Sequence, residues 1–133
     1  MSYMLDTNIC IYAIKSRPAS VLRRLRANME RGLFISAITL GELRHGVEKS
    51  ACPAKNERAL LQFLSILEVL PFDAAAASEY GRIRAFLQKQ GIPIGPLDTL
   101  IAAHAKSEAM TLVTNNVREF MRVPDLKIEH WAL

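Results

Sequence analysis

Long apolar runs are missing from this chain of 133 residues, and so are the short motifs that mark most nucleotide chemistry. No stretch approaches the ~20 apolar residues that a bilayer-spanning helix needs. The N-terminus has no basic segment leading into an apolar one, as an export signal would. We therefore expect a cytoplasmic protein with no membrane association. There is no GxxxxGK(S/T) phosphate loop and no GxGxxG turn. The serines that follow apolar runs lack a GxSxG setting, which removes the nucleophile-elbow hydrolases. Cysteine is scarce: Cys10 and Cys52 stand alone, with no CxxC spacing and no Cys/His cluster to suggest zinc. In an intracellular domain two such thiols are expected as buried apolar residues rather than a disulfide. Repeats, linkers and low-complexity segments are also lacking, so the expectation is one domain over residues 1–133.

What is present is globular in character: 50% hydrophobic and 23% charged residues, enough to bury roughly two-thirds of the unfolded surface at this length. The formal net charge of +4 is compatible with a polyanionic partner and equally with a solvated, slightly basic surface.

Short apolar runs alternate with segments of helical spacing. Tyr3–Leu5 reads as a buried strand, closed by Asp6, with a helix starting near Thr7 or Asn8 and running to Ile14. Pro18 interrupts. Residues 19–30 carry Val21, Leu22, Leu25 and Met29 on one face, with Gly32 as a stop. A second strand covers Leu33–Ile35. Ser36 is a capping residue for a helix over 37–49 that contains Glu42. A helix follows Pro53 and reaches Leu67, and a third strand covers 68–72. Asp73 caps a long helix, 74–90, that Gly91 ends. A loop spans 92–97, and Asp98 is expected to open the largely apolar helix 99–108. A fourth strand lies at 111–114, a turn at Asn115–Asn116, one helical turn near 117–121, and an edge strand at 127–129. This alternation predicts a parallel sheet of four or five strands covered by helices on both faces.

The polar residues fall at recurring places on that map. Asp6 ends the first strand. Glu42 lies two turns into the helix after the second. Asp98 opens a buried helix, and Asn116 and Glu119 follow the fourth strand. In open parallel sheets, ligands bind outside the carboxyl ends of the strands, where such positions converge. Each residue has a plainer reading: Asp6 as a turn or cap, Glu42 as an edge-of-face side chain, Asp98 as an N-cap. Taken together they say more, because several carboxylates in one place repel and resist ionisation without a cation. Mg²⁺ or Mn²⁺ is the expected ion, taking oxygen ligands and keeping several waters, and phosphodiester hydrolysis is the chemistry it suits. Among the histidines, His45 shares a helix face with Glu42 and reads as a surface or supporting group. His104 reads as a satisfied core or boundary residue, and His130 is uninformative. Lys15, Arg17, Arg23, Arg24 and Arg26 are candidates for guiding phosphates, each equally readable as part of a solvated face.

At this point the residues resemble a known family. Met4-Leu5-Asp6-Thr7-Asn8, Ser36 with Thr39-Leu40-x-Glu42-Leu43-x-x-Gly46, Pro96-x-Asp98-x-x-Ile101-Ala102-Ala103 and Leu112-Val113-Thr114-x-Asn116 resemble, in order, the motifs of PIN domains. The likeness is greatest to toxins of the VapC type, and Arg118-Glu119-Phe120 and Trp131 fit it too. The resemblance implies a PIN-like three-layer α/β sandwich. It implies an acidic Mg²⁺ site made by Asp6, Glu42 and Asp98, with Asp6 and Asp98 as metal ligands, Thr7 and Asn8 supporting the first acid, and Thr114 orienting a water or acid. Many members carry a fourth acid where this chain has Asn116, and Glu119 is a candidate to supply the missing charge. It further implies an endoribonuclease that arrests translation by cutting tRNA, the initiator anticodon stem–loop foremost, or else another RNA or DNA. The implied partners are a second copy of the chain and a VapB-type antitoxin, through which operator DNA would be bound. A receiver-like signalling domain, which also gathers acids at strand ends, would want paired acids after the first strand and a lysine after a late one. Thr7 and Thr114-Asn115 stand there instead. A PIN-like fold used only for binding would have lost Asp6 or Asp98.

Overall fold

The computed structural model describes residues 2–132. Five strands, β1 (Tyr3–Leu5), β2 (Leu33–Ser36), β3 (Glu68–Leu70), β4 (Thr111–Val113) and β5 (Ile128–Glu129), form one sheet in the order β3-β2-β1-β4-β5, with every pairing parallel. Seven α-helices cover it: α1 (Thr7–Lys15), α2 (Ala19–Ala27), α3 (Ala37–Glu48), α4 (Pro53–Leu64), α5 (Ala74–Lys89), α6 (Pro96–Ser107) and α7 (Val117–Phe120). The three-layer α/β arrangement expected from the alternation is therefore present.

The side-chain alternation of the strands divides the interior in two. Tyr3, Leu5, Leu33, Ile35 and Val113 point into one core, shared with Ile9 and Cys10 of α1, Val21 and Leu25 of α2, Leu43 and Val47 of α3, and Leu60 and Phe63 of α4. Met4 and Leu112 point into the other, shared with Ile83 and Leu87 of α5, Ile101 to Ala103 of α6, and Phe120 of α7. This is why β1 and β4 are buried at every position, with Thr111 as their one strongly polar member. A strand covered on both faces has no solvated side on which to place a polar residue. Trp131, fully buried, closes the first core against Tyr3, with the rings edge to face at 5.2 Å between centroids.

Several helix starts follow from their capping residues. Asp6 accepts from the Ile9 N–H at 2.9 Å, Ser36 from Ile38 at 3.1 Å and Asp73 from Ala76 at 3.0 Å. These bonds satisfy N–H groups that the first turn leaves without intrahelical partners. Gly91, at φ +69°, ends α5 in a conformation that costs glycine little.

Four boundaries differ from expectation by two residues or more. The helix expected over 19–30 stops at Ala27, and Met29–Arg31 tightens to a 3-10 turn. The strand expected to reach Phe72 ends at Leu70, and the helix after Pro53 ends at Leu64. The most consequential difference concerns Asp98. Gly95 is the N-cap of α6, Pro96 takes the first helical position, and Asp98 lies in the first turn. Proline suits that position because its missing N–H would have had no partner there. Cys10 is buried as expected, whereas Cys52 is exposed; both are free. No described helix is long and apolar enough to cross a membrane.

Candidate metal-dependent site at the sheet edge

The strand order places a topological switch beside β1. Its neighbours β2 and β3 lie on one side, and β4 and β5 on the other. The chains leaving β1 and β4 diverge there and open a crevice at their carboxyl ends. The Asp6 N–H donates to the Val113 carbonyl at 3.0 Å, fixing the end of β1 to the end of β4 at that crevice.

Asp6 is 3% exposed. Burial pushes its carboxyl up to about 6, further raised by the charges of Asp98 and Glu42 and held down by hydrogen bonds from the Thr114 hydroxyl and the Ile9 N–H. Asp98 is half-buried in the first turn of α6. Its carboxyl is raised by burial first, then by Glu119, then by Glu42. Asp6, Glu42, Asp98 and Glu119 thus share one electrostatic neighbourhood. No lysine or arginine forms an ion pair with any of the four among the described residues.

The supporting residues are distributed differently from expectation. Thr7 does not hold Asp6. Its hydroxyl donates to Glu42 at 2.6 Å and lies 3.4 Å from the Thr39 hydroxyl. Asn8 is exposed and lines an open cleft beside Glu42. Thr114 is buried, bonds Asp6 and accepts from the Asn116 N–H at 2.9 Å. Asn116 is the residue preceding α7, and its side chain caps nothing. At the open corner, then, it is Glu119 whose charge reaches Asp98. Thr39, fully buried, belongs to the same network. A threonine inside a helix reads as filler until folding sets it against Thr7.

Arg24 is engaged elsewhere, 3.5 Å from Glu129 and over the Trp131 ring at 5.8 Å. Lys15 shares a groove with Glu42 between α1, α3 and α4, while Arg26 lines a separate cleft between α2 and α4. Arg17 and Arg23 are exposed. Behind the site, His104 is buried in α6 with its Nδ1 2.7 Å from the Ser36 hydroxyl. Burial lowers its pKa; it is a core residue as expected, but satisfied at Nδ1 only, its Nε2 having no hydrogen-bond partner among the described residues.

The donor set at the crevice is all oxygen, which suits a hard divalent cation rather than zinc. Among the described residues no three acidic, histidine or cysteine side chains close into a ready-made cage.

The chain is similar to several known proteins. A family model described as PIN domain matches residues 3–126. The chain is 49% identical over 132 residues to the tRNA(fMet)-specific endonuclease VapC of Shigella flexneri, covering 99% of each. It is 47% identical to ribonuclease VapC2 of Haemophilus influenzae, again over 99% of each. Its backbone matches a crystal structure of VapBC2 from Rickettsia felis bound to a DNA fragment from their promoter. There the TM-score is 0.94 and the identity 45%, over 98% of this chain and 99% of that one.

Proposed function

The chain belongs to the PIN-domain family, and on that premise we infer that it is a VapC-type ribonuclease, the toxin of a type II toxin–antitoxin module. It cleaves RNA endonucleolytically and thereby blocks translation. The substrate we assign is tRNA, with the initiator tRNA anticodon stem–loop first, as the name of the Shigella relative states for that protein. We place its action in the cytoplasm, where that substrate is. Its partners in this reading are a second copy of itself and a VapB-type antitoxin, which carries the complex to operator DNA. Solved VapBC complexes at TM-scores of 0.94 and 0.93, both bound to DNA, support that assignment.

The observation that carries the reading is the meeting of Asp6, Glu42, Asp98 and Glu119 at the switch point with no side-chain cation among them. We assign Asp6 and Asp98 as the residues that hold Mg²⁺ or Mn²⁺. An ion held there would supply polarisation of the scissile phosphate and a lowered pKa of an attacking water. The chain's own groups do the rest. The Ile9 N–H and Thr114 hydroxyl fix the Asp6 carboxylate and favour its ionised form. Thr7 holds Glu42 by a charge-assisted bond, positioning it as the carboxylate that orients the attacking water or accepts a proton from it. Glu119 adds the charge that Asn116 does not.

The test is cleavage of purified initiator tRNA by the purified chain with Mg²⁺ or Mn²⁺, abolished by chelator and restored by added metal. If Asp98→Ala cut at the parent rate, the site assignment would be wrong. If the parent left every RNA intact, the ribonuclease reading itself would fall.

A further inference from the structure

A cleft of about 630 Å³ runs from the acidic centre along α3. Thr7 and Glu42 stand at its near end, His45 lies one turn further along α3, and Lys49, two turns on, is the residue at its C-cap. Leu97, 45% exposed and adjacent to Asp98, contributes the opposite wall. The cleft is therefore continuous with the crevice in which the carboxylates meet.

His45 and Lys49 are both exposed, and neither side chain has a hydrogen-bond or ion-pair partner among the described residues. The next arginine on the helix behaves differently: Arg44 is bound by Glu57 at 2.6 Å. Gly41 and Gly46 have nothing within 4 Å of where a Cβ would stand, so the helix face between these groups is bare backbone in front of open space. A site made of carboxylates repels the phosphates of its own substrate, and nearby unpaired donors offset that repulsion. Seven residues of helix put Lys49 roughly 10 Å beyond Glu42. At that distance it faces a neighbouring phosphate, not the one being cut.

We propose that this cleft holds the RNA strand flanking the scissile phosphate, with Lys49 and His45 contacting its backbone phosphates. The assignment rests on the ribonuclease reading above and adds where the strand runs. The lysine is a point charge on phosphate and the imidazole an N–H donor, so both set position and affinity without reading sequence.

Binding of a fluorescent single-stranded oligoribonucleotide, followed by anisotropy without divalent metal across a salt series, tests it. Lys49→Gln is expected to weaken binding about five-fold at low salt and to lessen the log–log salt slope by about 0.7, one single-strand phosphate contact. Lys49→Arg restores both, and Lys89→Gln, at the exposed end of α5, changes neither. In cleavage assays with metal, Lys49→Gln and His45→Gln raise KM on tRNA with kcat within about two-fold. They leave a dinucleotide, too short to reach Lys49, unaffected. The proposal is overturned if the parent cuts RNA and both variants bind and cut as the parent does. It is also overturned if they weaken only antitoxin binding, which would make the cleft a protein-binding surface. A parent that neither binds nor cuts RNA removes the nuclease reading and this assignment with it.

Discussion

The two aspartates that face each other across the switch point are held in opposite ways. Asp6 is buried, caps α1, and is bonded by Ile9 and Thr114. Asp98 is half-buried, caps nothing, and sits in the first turn of a helix whose start is already settled by Gly95 and Pro96. One carboxylate is part of the framework and the other is only presented by it. A site can thus share one acid with the fold while keeping a second free for chemistry alone.

The strongest way to break this contrast is to remove the presented acid. Asp98→Ala is expected to lower tRNA cleavage by more than ~100-fold, beyond the 10–100-fold typical when only a supporting group is lost. Its melting temperature should not drop, and relief of repulsion with Glu119 and Glu42 should raise it slightly without metal. Asp6→Ala is expected to lose as much activity and, measured near pH 5 where the buried charge is largely neutralised, about 1 kcal/mol of stability through the lost cap, visible as an earlier urea midpoint. Asp6→Asn keeps a good capping residue and should separate the two effects: inactive but stable. Equal stability of both alanine variants would erase the distinction.

The open corner comes next. Glu119→Gln should reduce cleavage about ten-fold or more, whereas Asn116→Ala, whose side chain caps nothing, should change it less than about two-fold. The reverse ranking in a kinetic assay would move the fourth position to Asn116.

A subtler difference lies in pH. The folded-state pKa of Asp6 is raised above its ordinary value, so the folded chain binds that proton more tightly than the unfolded chain does. Without metal, its contribution to stability is present below about pH 3.8 and is lost as pH rises through about 6. Added Mg²⁺ should therefore raise the melting temperature more at pH 7 than at pH 5, and Asp98→Ala should shrink that gain. His104 has the opposite sign. Its pKa is lowered by burial, so the stability of its neutral form is present above pH 6.5 and is lost as pH falls through the folded value. His104→Gln should flatten the acid limb of the stability curve by calorimetry, the smallest of these effects.

Much of this architecture was readable from residue order. The strand-then-acid pattern at Leu5–Asp6, the Ser36 and Asp73 caps and the apolar helix after Asp98 each rest on local rules, and each has a counterpart in the structure. What could not be read was partnership. Nothing local says that β1 lies between β2 and β4, yet that order is what brings residues after Val113 to Asp6. The start of α6 was misplaced because Asp is a favoured cap and Pro a favoured first residue, so the segment Gly95-Pro96-Leu97-Asp98 supports two registers that only packing separates. Thr7 was set beside its sequence neighbour Asp6, but as the first residue of α1 it turns towards α3 and bonds Glu42 instead. Cys52 is exposed because it lies in the short connection between α3 and α4, a placement that the general tendency of thiols to be buried does not carry.

The pairing of β1 with β4 has a consequence in time. Contacts between segments this far apart in the chain form late, because a long loop must close before they stabilise anything. On a ribosome, Asp6 emerges on the order of ten seconds before Asp98 at ordinary elongation rates, and the Val113 carbonyl that anchors it follows later still. A nascent chain stalled before Leu112 has its first acid but nothing to set it against. The site therefore cannot assemble until the chain has been made through β4, however early its first acid appears.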